Sequence, residues 1–116
     1  MSSDALEAPS SAQGHADADA SYLLGNQHYR GEGVVRDYTE ARRLYSLAVA
    51  RGHAQAQCAL GAMHDQGQGG PQDLAEARLL YSLAATQGNA DAQYALGNMH
   101  YRGEGGPQDI AEARRL

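Results

Sequence analysis

Three histidines stand at one fixed spacing. His28, His64 and His100 recur every 36 residues. Imidazoles bind metals and relay protons, so this ladder is the first candidate for chemistry. Its spacing argues against that role. Equivalent positions in stacked helical units lie at least one interhelical distance apart, about 8–10 Å. A metal needs its nitrogens at about 2.0–2.1 Å. The histidines are therefore expected to pack between units much as aromatic residues do. His53 stands just before a helix, where Asn89 stands one unit later, and a helix cap is the expectation there. Cys58 is the single cysteine and takes the place of Tyr22 and Tyr94. A reactive thiolate needs positive charge beside it, and the nearest arginine in sequence is Arg51. Cys58 reads as a small thiol underfilling a tyrosine-sized slot.

Other chemistry is missing at the level of composition. All nine basic residues are arginine, which removes lysine Schiff bases, the phosphate-loop lysine and the Ser-x-x-Lys motif. The Gly-x-Gly pieces at 31–33, 67–69 and 103–105 never extend to Gly-x-Gly-x-x-Gly, so they read as loop geometry. Asp37, Asp73 and Asp109 each precede a glutamate by three residues, the spacing of a capping box. The expectation is no catalytic residue, no cofactor and no metal. A net charge of −5 argues against nucleic acid. Mean hydropathy is −0.58, and no apolar run approaches the roughly 18 residues of a membrane helix.

The elements that position these residues follow from the repeat. Leu24-Gly25, Leu60-Gly61 and Leu96-Gly97 share the same period, and so do the Ala-x-Ala pairs before them and the Gly-x-Gly pairs after them. Ala56, Ala59, Leu60 and Met63 make one helical face over about 54–66. Leu74, Ala77, Leu80, Tyr81 and Ala84 make another over about 74–87. Gly67 and Gly88 end these helices. Gly61, inside a helix, costs about 1 kcal/mol against Ala, so a close neighbour is expected there, at the small faces of Ala77 and Ala84. The reading is an all-α, right-handed α/α solenoid of antiparallel helical hairpins. The repeat domain is 16–116, with units 18–53, 54–89 and an incomplete 90–116. Residues 1–15 are expected to be a disordered lead-in. Ser11 to Ala16 also resembles Ala85 to Ala90, as the tail of an earlier repeat would.

The run Ala-x-Ala-x-x-x-Leu-Gly, then Gly-x-Gly, Asp and Ala-x-x-x-Tyr-x-x-Ala-x-x-x-Gly, resembles the Sel-one-like repeat, a branch of the tetratricopeptide-like solenoids. The resemblance covers residues 18–116. It implies a protein-binding scaffold or adaptor. The family's usual tyrosine is replaced at His28, His64 and His100. The paired cysteines of one bacterial branch are missing, and the β-lactamase-like activity attached to that branch does not carry over.

Partner binding is expected on the concave face, lined by the first helix of each hairpin. The positions near that helix's end that vary between units are Asn26, Tyr29 and Arg30; Ala62, Asp65 and Gln66; Asn98, Tyr101 and Arg102, and all but Ala62 are the candidates. Tyr and Arg are the side chains that dominate binding hot spots. The partner is a protein or peptide. The alternative is a fragment or end piece of a longer repeat protein, stacking end to end on further repeats or another chain. No targeting address is readable, which makes the cytoplasm the expected location.

Overall fold

The computed structural model describes residues 11–106. Five helices follow one another: α1 (Ser11–Arg30), α2 (Tyr38–Val49), α3 (Ala54–Gln66), α4 (Leu74–Thr86) and α5 (Ala90–Arg102). Each packs on the next along the chain. The first four make two hairpins, and α5 opens the third. The second helix expected in unit three, with Asp109, lies outside the described residues.

Among the described residues two seams hold most of the core, and Ala18, Ala48 and Ala56 form a third, smaller cluster. Ala41 and Tyr45 of α2 meet Leu60 and Met63 of α3 and Leu80 of α4. One repeat later, Ala77, Tyr81 and Ala84 of α4 meet Ala92, Leu96 and Met99 of α5. Between them Gln57 is buried, and its side-chain oxygen accepts from Gln87 Nε2 at 2.9 Å. Gln87 Nε2 also reaches the Gly52 carbonyl. The buried amide oxygen is thus satisfied within the junction.

The helix boundaries follow local chemistry. Asp37 and Asp73 are N-caps, each carboxylate accepting the N–H three residues on at 3.0 Å. The reciprocal half of the expected capping box is replaced. The Asp37 and Asp73 N–H groups donate to the carbonyls of His28 and His64, and the Glu40 side chain turns instead to Arg43. Gly67 and Gly103 close α3 and α5 in the left-handed conformation, with φ of 68° and 71°.

Two expectations change. Residues 11–15, assigned to the lead-in, belong to α1, which runs on through Gly14 despite that residue's low helix propensity. The first ten residues lie outside the described part. Gly61 does approach a neighbour, but that neighbour is the Tyr81 ring. A Cβ at Gly61 would lie 3.1 Å from Tyr81 Cδ1 and 3.4 Å from the Ala77 carbonyl oxygen. At Gly25 the Tyr45 ring is closer still, at 2.7 Å. The glycine therefore makes room for a tyrosine laid across the hairpin, with the Ala77 backbone beside it.

Candidate functional site

A groove of about 290 Å³ opens between α1 and α3. Tyr22, Asn26, Tyr29 and Arg30 of α1 line it on one side, and Cys58, Ala59 and Ala62 of α3 on the other. Tyr45 lies beneath, and Asn89 and Asp91 close the end at α5.

The groove exists because unit two carries small residues where its neighbours carry large ones. Cys58 matches Tyr22 and Tyr94, and Ala62 matches Asn26 and Asn98. In unit one the equivalent space is filled: Tyr22 stacks on His53, with ring centroids 4.8 Å apart. In unit two a thiol faces the smaller Asn89.

The walls are held in place by their own partners. The Tyr45 hydroxyl donates to Asn26 Oδ1 at 2.6 Å, and the Tyr29 hydroxyl donates to Gln68 Oε1 at 3.0 Å. Tyr29 also leans on Tyr38, with centroids 5.1 Å apart. Burial pushes the Tyr45 hydroxyl up to about 12, so it remains a neutral donor at physiological pH. Burial, then the Asp91 carboxylate, pushes the Cys58 thiol up. That keeps it protonated and works against a thiolate nucleophile. Arg30 projects at the rim, 3.9 Å from Glu32 and largely exposed. A pair so exposed and so long holds the guanidinium only weakly.

Of the eight residues singled out from sequence, Asn26, Tyr29 and Arg30 line the groove. Asp65 instead hydrogen-bonds the Tyr81 hydroxyl, whose pKa is raised mainly by burial. Gln66, Tyr101 and Arg102 are exposed and Asn98 half-buried, all away from the groove lining. Cys58, Ala62, Asn89 and Asp91 were not among the candidates. The signal for Cys58, Ala62 and Asn89 was subtractive, a smaller residue than at the equivalent position, whereas Asp91 repeats Asp19 and gave no such signal.

The histidine ladder is resolved differently from the expectation. His64 and His100 do more than pack between units. Each presents Nδ1 to an arginine of the preceding hairpin, Arg42 and Arg78 respectively. His53 caps α3, its Nδ1 accepting the Ala56 N–H at 3.1 Å, while Nε2 lies 2.8 Å from Asp19. The ring carries its proton on Nε2 and so joins α1 to α3. No group of three metal-ligating side chains gathers among the described residues.

Comparison with known proteins agrees with this architecture. A family model described as the Sel1 repeat matches residues 18–53, 54–89 and 90–116. The protective antigen c5321 of uropathogenic Escherichia coli, described as displaying an SLR fold, is similar, with 38% identity and a TM-score of 0.83. The match covers 84% of this chain and 21% of that one. A Sel1 repeat protein from Oxalobacter formigenes is similar at 31% identity, with a TM-score of 0.83, over 96% of this chain and 44% of that one. This chain thus spans less than half the length of either. No curated protein matches. Among the described residues no helix is long and apolar enough to cross a membrane.

Proposed function

Because the chain belongs to the Sel1 repeat family, we propose that it is a non-catalytic scaffold that holds a peptide or partner protein along its concave face, at the groove between α1 and α3. The observation that carries this reading is the local hollowing of unit two. Cys58 and Ala62 stand where the flanking units carry tyrosine and asparagine, and the space they leave is walled by Tyr22 and Tyr29. A side chain of a bound peptide would enter between those rings. Aromatic walls give large contact area with little side-chain entropy to lose. Arg30 and Asp91, at the rim, would meet backbone or charged groups of the same peptide.

Refilling the groove tests this. Cys58→Tyr with Ala62→Asn gives unit two the side chains its neighbours already tolerate, so the fold should be kept. Wild type and this variant serve as baits for capture from the native lysate, with helicity checked by circular dichroism. A partner held by wild type and lost from the folded variant is the expected result. Capture of the same set by both would remove the groove from consideration.

A second reading, an end piece that stacks on further repeats, draws on Leu24. It is 45% exposed, whereas Leu60 and Leu96, its equivalents, are 5% and 6% exposed. A hairpin stacked ahead of unit one would meet Val34, which replaces the glycine that, at positions 70 and 106, makes room for the neighbouring hairpin's arginine.

A further inference from the structure

Both hairpin junctions carry the same three-residue clip. Arg42 on α2 reaches α3, its Nη2 lying 3.2 Å from His64 Nδ1 and donating to the Pro71 carbonyl at 3.1 Å. One repeat later Arg78 on α4 meets His100 Nδ1 on α5 and donates to the Glu104 carbonyl at 3.4 Å. Gly70 and Gly106 complete the device, because a Cβ at either position would fall on the guanidinium. An arginine can only donate. Each imidazole must therefore accept through an Nδ1 lone pair and keep its proton on Nε2. A proton added to Nδ1 removes the acceptor and leaves two cations in contact.

Unit one supplies an internal contrast. His28 has the same place in its helix, but no arginine among the described residues is paired with it, and its Nδ1 is buried without a hydrogen-bond partner among them. Val34 stands where the clip needs glycine. Arginine and glycine are thus present together or absent together around a constant histidine.

The charged groups around His64 come from two helices. Arg42 faces it from α2, and Asp73 and Glu76 from the start of α4. Burial first and Arg42 second hold His64 below its ordinary value, against the weaker opposing pull of Glu76 and Asp73. His100 faces Arg78 from α4 and the Glu104 backbone. Asp109 and Glu112, in register with Asp73 and Glu76, lie outside the described residues.

We propose that these two arginine–histidine clips make the stacking of hairpins acid-sensitive. A proton on Nδ1 releases a clip, and adjacent hairpins then loosen while each keeps its own helices. The sign follows from linkage. For a histidine depressed in the folded state, the stabilisation is complete above the ordinary value of 6.5. It is lost as pH falls through the lowered one.

The test is urea unfolding of the full chain, followed by circular dichroism, at pH 7.5 and pH 5.5. The comparison is with His64→Gln/His100→Gln, whose amide oxygens accept from arginine but do not titrate. His15, His28 and His53 remain in both proteins, so the difference belongs to the clips. Acidification should raise the unfolding equilibrium constant severalfold more in wild type than in the double variant. Should that variant fail to fold, Arg42→Leu is followed by the NMR titration of the His64 ring proton. Its midpoint should move up once the cation is gone. Equal acid sensitivity of wild type and the double variant, or a His64 midpoint unmoved by Arg42→Leu, overturns the proposal.

Discussion

At Gly25 and Gly61 one helix position meets one kind of ring at two distances, and that difference sets the sign of a substitution. Replacing a helical glycine by alanine gains about 1 kcal/mol of helix propensity. Overpacking a fitted seam costs about 1–3 kcal/mol. At Gly61 the new Cβ would sit 3.1 Å from the Tyr81 ring, a few tenths of an ångström too close. Gly61→Ala should be close to neutral. At Gly25 the Tyr45 ring is 2.7 Å away, buried, and tied to Asn26 by its hydroxyl. Gly25→Ala should destabilise by about 1–2 kcal/mol. Urea midpoints of the two variants decide it, and a Gly25→Ala protein as stable as wild type would refute the tight contact. Gly61→Leu should lose about 1–3 kcal/mol, with the Tyr81 ring as the group displaced. The sequence made it plain that these glycines had a close neighbour. It did not say which, because Ala77, Tyr81 and Ala84 share one stripe and only the packing decides which residue lies across the seam.

The helix boundaries were the most legible elements, because their causes are local. Asp37, Asp73 and Gly67 act within a turn of their own positions, so spacing alone reveals them. The arginine–histidine clips join residues 22 apart on different hairpins, and no local pattern announces such a pair. His53 combines both kinds of information. As a cap it was readable, but its link to Asp19 and its stacking on Tyr22 were not. His53→Asn, which copies Asn89, should keep the cap and lose the link to α1. His53→Ala should lose both and be less stable than His53→Asn by about 1 kcal/mol, the usual worth of a cap. Thermal unfolding of the pair measures this, and equal midpoints would mean the cap contributes nothing.

Over the whole molecule, stability is a sum over junctions between neighbours. The seams are alanine-rich, and a fully buried large side chain is worth only about 1.5–3 kcal/mol. Leu44, Leu60, Leu80, Leu96 and the buried rings of Tyr45 and Tyr81 carry most of that burial. The isolated chain should melt below about 70 °C, in or near the range of ordinary domains. A calorimetric midpoint well above that would show that the alanine seams contribute more than their area suggests. The solenoid itself was readable from the 36-residue period. The groove was not, since it is made by side chains that are smaller than the pattern requires.

The clip geometry also dictates where such an array can be lengthened. A duplicate of residues 54–89 spliced between units two and three brings a histidine and a glycine to receive Arg78, and an arginine to offer to His100. Every new junction is complete on insertion. The same cassette placed ahead of unit one would aim its arginine at Val34. Growth by duplication therefore reproduces the clip at every interior junction, whereas a cassette set ahead of unit one would meet it without one.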